Sequence, residues 1–514
     1  MSFSKLHDVI IAGAGPVGLF LGCELALAGL DVLIVERAES PQAPLKLPPL
    51  GMRGLSVATG EALYRRGLLD DLIATADAAR AAIASHAPSR GAVKPTKAQV
   101  GHFAGIPIDP ALVDLSQWTY RLPSPAFANF AADMASVEAV LTERALALGV
   151  EIRRGLAVTG VCDGSDQVTI DLGNLKLRAR WLVGCDGGQS SVRKLAGFDF
   201  PGTEPEFTAY YALVDIADSH KLLPGRNATA SGFYVNLPGQ ISIADFDGGA
   251  FDRSSAITRD HLQAVLRRVS ETDVTLTAVR LATSFTDRAR LVTSYRRGHV
   301  LLAGDAAHIH SALGGQGLNA GLGDAMNLGW KLAATVLGTA SEQLLDTYET
   351  ERRPIGQWVL DWTRAQASIM KPTPQARAIE GIMRDLVGTG DGATYFAEQL
   401  WGITLHYDLG SDHPLVGYSA PDLTFQNGRR LAEHLCAGTG VLINLAGDER
   451  LRAASERWRD HIDYIESVAQ NSLGLSAMLV RPDGFVAWAA DGEPDFGGFD
   501  QAISQWFGAP ALAC

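Results

Sequence analysis

The chain has 514 residues, 47% hydrophobic and 20% charged, with a formal net charge of −13 at pH 7. That length buries core for about three domains; without low-complexity tracts or short-period repeats, disordered and solenoid architectures have little support. The negative balance argues against nucleic acid or an anionic membrane as partner, since both need a basic face.

In chain order, an apolar strand ending at Ala12 leads through a glycine turn, Gly13 to Gly18, into a helix that runs to about Gly29. Leu30 to Arg37 follows as a second buried strand, completing a βαβ unit. The apolar run Val9 to Ala12 lacks a basic leader and breaks at glycines, unlike a signal peptide. Later apolar stretches, Leu19 to Val35 and Leu328 to Leu337, meet charges or glycines before they could span a membrane. A cytoplasmic protein is expected. Pro41 to Pro49 is too punctuated for regular structure, and helical sequence resumes at Ser56. A helix is expected near Ser136 to Leu148, then a strand from Val150, and another over Leu175 to Gly184. From about Phe207 to Arg280, β-branched and aromatic residues alternate with turns, the pattern of an inserted antiparallel sheet. A strand at His299 to Ala303 precedes a glycine-rich turn and a long helix from about Leu318 to Leu337, with more helix to about Trp401. The tail from Pro414 is a separate α/β module, with strands at Val441 to Leu445 and Ser476 to Arg481 and a helix between them. Five cysteines, Cys23, Cys162, Cys185, Cys436 and Cys514, form no CxxC pair and no metal-ligand spacing; reduced thiols and no metal are expected.

Gly13-Ala-Gly15-Pro16-Val17-Gly18 is a GxGxxG turn between a strand and a helix. Its first glycine permits the sharp turn, the second lets backbone approach a pyrophosphate, and the third lets helix and strand pack closely. Peptide N–H groups at the helix start face the phosphates. Glu36, with Arg37 beside it, ends the second strand where a carboxylate can accept hydrogen bonds from an adenosine ribose. FAD and NAD both fit this unit.

Two later motifs separate them: Gly184-Cys-Asp186-Gly187-Gly188-Gln-Ser190-Ser191-Val-Arg193, and the run from Gly304-Asp305 through His308, His310, Gly314-Gly315-Gln316-Gly317-Leu318-Asn319 to Asp324 and Trp330-Lys331-Leu332. A carboxylate at a strand end can hold a ribityl hydroxyl, while the adjoining helix start aims N–H groups at an isoalloxazine carbonyl. Together these residues resemble the group A flavoprotein monooxygenases, the family of para-hydroxybenzoate hydroxylase and the polyketide aromatic hydroxylases. The resemblance implies an α/β fold: a Rossmann-like FAD-binding domain over 1–180 and 280–400, with a substrate-domain segment near 80–125; an inserted substrate-binding β-sheet domain over 200–280; and a thioredoxin-like C-terminal domain over 412–514, without CxxC. It also implies FAD on the first turn, Asp305 on the ribityl chain, Asp186 serving both FAD and a transiently docked NAD(P)H, and Arg53 contacting the flavin. His413 to Asp422 and Ala477 to Trp488 resemble the tail of larger members. Three positions depart from the family pattern: Ser311 and Ala312 stand where prolines are usual, Met134 where a glutamine is usual, and Val57-Ala58-Thr59 lacks the usual basic residue.

The implied reaction is hydroxylation of a phenolic, and from the size of the insert and tail a polycyclic, aromatic by NAD(P)H and O2, through a flavin C4a-hydroperoxide. Expected substrate contacts are Tyr210, Tyr211, Phe233, Tyr234 and Phe246 on the sheet, with Ala312 and Gly314 beside the flavin. No catalytic base is assigned; His308 and His310 fit a structural or hydrogen-bonding role better than catalysis. Baeyer–Villiger oxygen insertion next to a ketone, or a flavin-binding protein without turnover, are the alternatives. A halogenase is not, because the WxWxIP signature is missing; Trp358 and Trp362 lie in WVLDW. The enzyme is expected to be a monomer or homodimer.

Overall fold

The computed structural model describes residues 5–86, 101–128 and 130–508. Cys514, and the part of the expected 80–125 segment that falls at 87–100, lie outside them. The main sheet has the order Arg296–Arg297, Val300–Leu302, Leu175–Gly184, Leu6–Ala12, Val32–Glu36, Glu151–Arg154. The last five of these pair in parallel, and Arg296–Arg297 pairs antiparallel at the edge. Runs such as Val9-Ile10-Ile11 and Val32-Leu33-Ile34-Val35 are at most 2% exposed, as strands covered on both faces must be. Helix Pro16–Leu27 begins one residue after Gly15, with proline at a position where its missing N–H costs nothing. It packs tightly on helix Gln316–Leu337; a Cβ on Gly329 would collide with Glu24.

The second sheet is antiparallel, in the order Gly225–Ala228, Gly232–Leu237, Gln240–Asp245, Thr208–Ile216, Leu276–Thr286. It runs past the expected end at Arg280. Helix Arg259–Ser270, absent from the sequence reading, covers one of its faces through Leu262, Val265, Leu266 and Val269. The spacing i, i+3, i+4, i+7 is that of an amphipathic helix.

The tail forms a four-stranded sheet ordered Ile462–Glu466, Gly440–Asn444, Ala477–Val480, Val486–Ala490, flanked by helices Glu449–Ser455 and Phe496–Phe507. Strand Ile462–Glu466 was not expected; it sits at the sheet edge with Asp463 and Glu466 exposed, so its apolar signal is weak. Buried charges clamp the tail to the long helices. Arg481 donates to Glu351 (2.9 and 2.8 Å) and Asp483 (3.1 and 2.5 Å), and Lys331 lies 2.9 Å from Glu351. Two cations and two carboxylates cancel, which a dry site requires. Burial brings Lys331 down to about 8 despite Glu351. Burial alone would raise Glu351, but Arg481 and Lys331 outweigh it and hold it at about 2. A second clamp runs from Arg66, which pairs with Glu24 at 2.7 Å through two nitrogens and donates to the carbonyls of Leu435 and Pro482.

Candidate active site

Ala12, Gly184 and Leu302 are register partners across adjacent parallel strands. The three glycine-bearing turns therefore leave the sheet side by side, at the carboxyl edge where the strand order reverses, the place where open α/β sheets bind ligands. Backbone bonds lock the turns together: Cys185 N–H donates to Ala12 O (2.8 Å), Ala303 N–H to Gly184 O (3.0 Å), Gly13 N–H to Val35 O (2.7 Å). Gly13 has φ +110°, and a Cβ there would lie 2.7 Å from the carbonyl carbon of Cys185. Gly15 differs: its backbone is extended, and a Cβ would meet nothing within 4 Å.

Each turn is braced by side chains. Glu36 accepts the N–H groups of Ala14 and Ala38, both at 2.8 Å, and so fixes the first turn; Arg37 next to it is exposed. Pro16 and Gly18 are buried, and Val17 wedges against Gly304 and Gly321. Asp186 caps helix Ser191–Leu195, accepting from Ser190 Oγ and from the N–H groups of Ser191 (2.7 Å) and Val192 (3.1 Å), with Gly187 left-handed beside it. Arg193, quoted within that motif but not singled out, bridges the second and third turns by donating to Gly188 O (2.9 Å) and Ala306 O (2.8 Å).

The third turn hangs on a network the sequence did not reveal. Asp324, on helix Gln316–Leu337, accepts from Gly304 N–H (3.0 Å), His308 Nε2 (2.8 Å) and Arg352 Nε (2.8 Å). Burial pushes its carboxyl up, but Arg352 and His308 prevail and hold it below the usual range. His308 thus positions backbone, and His310 donates Nδ1 to Ser311 O at 2.7 Å; burial keeps His310 below the usual imidazole value. Asp305 is exposed within this otherwise buried stretch. Asn319 uses its whole amide: Oδ1 accepts from Ser56 N–H (2.9 Å) and Thr59 Oγ1 (2.7 Å), and Nδ2 donates to Gly54 O (3.1 Å) and Gly315 O (2.9 Å). Arg53, on the adjoining strand Met52–Leu55, donates to Leu50 O and Met52 O and lies within electrostatic reach of Tyr211 and Asp305.

Helices Pro16–Leu27 and Gln316–Leu337 start at Gly15 and Gly315 with no side chain capping their first N–H groups. Helices Val57–Tyr64, Met134–Ala147 and Arg259–Ser270 are capped by Ser56, Asp133 and Thr258, while Glu342–Ile369 starts at Ser341 without a side-chain cap bond. Uncapped helix starts leave donors and a positive dipole end for an anionic or carbonyl-bearing ligand. The open face of Gly15 and the two uncapped starts, with Gly317 and Leu318 in the first turn of the second, fit FAD.

The antiparallel sheet turns alternate residues to opposite faces. Tyr211 and Phe233 share the sheet face opposite helix Arg259–Ser270; Phe233, Phe246 and Leu313 of the third turn pack against one cluster made by Phe207, Ala209, Ala244 and Ala367, and Tyr211 lies within electrostatic reach of Arg53. Tyr210 and Tyr234 are a correction to the expected substrate contacts. Both are buried on the other face against helix Arg259–Ser270, where the Tyr210 hydroxyl lies 3.0 Å from His261 Nε2. Ala312 is exposed at the turn, and Gly314, with φ +78°, faces the Gln366 amide. Met134 is the first residue of helix Met134–Ala147, directly after the strand that pairs with Met52–Leu55. A cavity of about 360 Å³ lies behind Asn319, between helices Val57–Tyr64, Gln316–Leu337 and Glu342–Ile369 and the tail, lined by Met326, Trp358, Leu405 and Phe485 among others. None of the expected substrate residues lines it; of the expected cofactor residues, Asn319 does.

A parallel sheet with three phosphate- and flavin-ready turns at its switch point defines a flavoprotein oxidoreductase. The sequence matches the FAD binding domain family over residues 7–363 and the aromatic-ring hydroxylase C-terminal family over residues 413–510. It is 43% identical to a monooxygenase of Claviceps purpurea, with 99% of each chain covered. It is 37% identical to 12-dehydrotetracycline 5-monooxygenase/anhydrotetracycline 6-monooxygenase of Streptomyces rimosus, over 98% of this chain and 100% of that one. The solved structure of the anhydrotetracycline hydroxylase OxyS from Streptomyces rimosus superimposes with a TM-score of 0.85 at 36% identity, over 99% of this chain and 100% of that one. The chain belongs to the FAD-dependent aromatic-ring hydroxylases, and it is an FAD-dependent monooxygenase.

Proposed function

We propose that this enzyme hydroxylates a phenolic, polycyclic aromatic small molecule, with NAD(P)H as a transient reductant and O2 as the oxygen source. The observation that carries the reading is the gathering of Phe233, Phe246 and Leu313 of the loop that bears Asp305 around one apolar cluster, with Tyr211 on the same sheet face within electrostatic reach of Arg53. A flat aromatic seated there lies between ring faces on one side and the flavin loop on the other. The similarity to proteins named for anhydrotetracycline supports a multi-ring substrate.

When bound, FAD supplies the one-electron chemistry that connects a reductant, dioxygen and a closed-shell ring. The chain does the rest. Gly13, Gly15, Pro16, Val17 and Gly18 receive the pyrophosphate, Glu36 and Arg37 the adenosine, and Asp186 and Gly187 the middle of the cofactor. Asp305 holds the ribityl chain, while Arg53, Gly315, Gly317, Leu318 and Asn319 surround the ring, with helix-start N–H groups stabilising charge at its carbonyl end. Aromatic walls exclude water. In this reading, 1–180 with 280–400 forms the cofactor domain, 200–280 the substrate sheet, and 412–514 a structural thioredoxin-like domain. The enzyme acts in the cytoplasm as a monomer or homodimer, with no nucleic-acid or membrane partner.

The test is NADPH and NADH consumption by FAD-loaded protein with and without anhydrotetracycline as probe. Stimulation of about tenfold or more, a change of roughly 1.4 kcal/mol in the barrier, supports the reading. Consumption indifferent to this probe and to a panel of polycyclic phenols overturns it.

A further inference from the structure

Arg226, on edge strand Gly225–Ala228, is a half-buried guanidinium with no hydrogen-bond or ion-pair partner among the described residues. Its charged plane lies over the ring of Phe233, 4.9 Å from the centroid. The room for it is built in: it fills the volume that a Cβ on Gly105 would need, and Gly105 has φ +80°. Burial lowers its affinity for a proton, Glu380 opposes that, and Arg377 and Arg384 add to it. Glu380 is already shared between those two arginines, at 3.1 and 2.8 Å, and Arg377 also donates to Thr229 O (3.0 Å). His102 nearby is held below its usual value by the protein packed around it and by Arg226. Three arginines and one carboxylate leave a local excess of two positive charges, on a chain whose total is −13.

A partly desolvated cation without a counter-charge is costly to maintain unless something anionic completes it. Phe233 and Leu313 of the flavin loop pack against the same apolar cluster, and Phe233 lies under Arg226. We propose that Arg226, backed by Phe233, is a specificity-determining subsite for an anionic oxygen (carboxylate, or ionised phenol or enol) at the end of the aromatic substrate far from the flavin. The inference rests on the substrate reading above and adds an acidic function to the substrate. A planar fork over an aromatic ring suits a conjugated carboxylate or β-dicarbonyl enolate, which it can meet with two parallel hydrogen bonds.

The test uses FAD-loaded protein and two probes, a hydroxynaphthoate and the uncharged naphthol that lacks its carboxylate. Binding is read from the perturbation of flavin absorbance and, independently, by calorimetry. Replacing Arg226 by glutamine is expected to weaken hydroxynaphthoate binding about 10- to 100-fold and leave naphthol within about twofold, while Arg226→Lys keeps part of the preference through its charge. Phe233→Leu, which removes the stacked ring but not the charge, is expected to weaken both probes. Equal losses for both probes in R226Q, an unchanged preference, or no hydroxynaphthoate binding by yellow wild-type holoprotein overturns the subsite. Failure to take up FAD at all strikes instead at the reading beneath it.

Discussion

Two alanines placed two residues apart separate folding from cofactor binding. In Gly13→Ala the new methyl meets the Cys185 carbonyl, backbone that cannot move without breaking the Cys185–Ala12 hydrogen bond, and φ +110° adds strain of its own. Left-handed strain and overpacking together cost about 2 to 5 kcal/mol, and this loss is expected in the apoprotein. In Gly15→Ala the φ of −79° suits any residue and the Cβ meets no protein atom within 4 Å. Apoprotein stability should hold or rise by about 0.4–1 kcal/mol through the stiffer unfolded chain. The methyl instead stands where a phosphate must approach the helix start. Losing charge-assisted N–H bonds there costs about 3 kcal/mol, roughly 100-fold in FAD affinity. Thermal unfolding of both apoproteins and FAD titration followed by flavin fluorescence give the two numbers. A Gly15→Ala protein that binds FAD like wild type, or an apoprotein destabilised as much as Gly13→Ala, refutes the reasoning.

The buried charge cluster sets an acid limit. Glu351 falls from an ordinary 4.5 when unfolded to about 2 when folded, so its stabilisation is fully present above pH 4.5 and is lost as pH falls toward 2. That loss is on the order of 3 kcal/mol, seen in denaturant melts across the window; Glu351→Gln should be destabilised at neutral pH by about 3–5 kcal/mol and show a flatter slope there. Asn319→Ala removes three hydrogen bonds to the segment Gly54–Thr59 and a fourth to Gly315 O within the flavin loop; a loss of about 2–4 kcal/mol in stability and weaker FAD retention on gel filtration are expected. Tyr210→Phe, on the helix-covered face, should leave substrate KM unchanged, whereas Tyr211→Phe should raise it. An equal effect in steady-state kinetics contradicts the face assignment.

The cofactor crevice was legible because it is made of residues whose type the backbone dictates. Gly13, Gly187, Gly304, Gly314 and Gly315 all have positive φ, and continuous β-branched runs mark strands buried on both faces. The brace behind it was not legible. Asp324, His308 and Arg352 are 16 and 28 residues apart and meet only because two long helices cross the third turn. Arg481 and Glu351, 130 residues apart, carry no local signal of partnership. Alternation puts neighbours such as Tyr210 and Tyr211 on opposite faces, yet both were expected at the substrate, because which parity faces the flavin depends on where helix Arg259–Ser270 docks, and that helix went unread when its charged face broke up an otherwise strand-like region. Arg226 escaped notice for the opposite reason, since an arginine on a strand is ordinary until its partners are found missing.

The most direct test is reaction of FAD-loaded protein with a polycyclic phenol, NAD(P)H and isotopically heavy dioxygen, with the product weighed by mass spectrometry. Gain of one heavy oxygen atom in the organic product is the expected result. A reduced nicotinamide pool spent entirely on hydrogen peroxide, with every aromatic offered recovered at its original mass, contradicts the account.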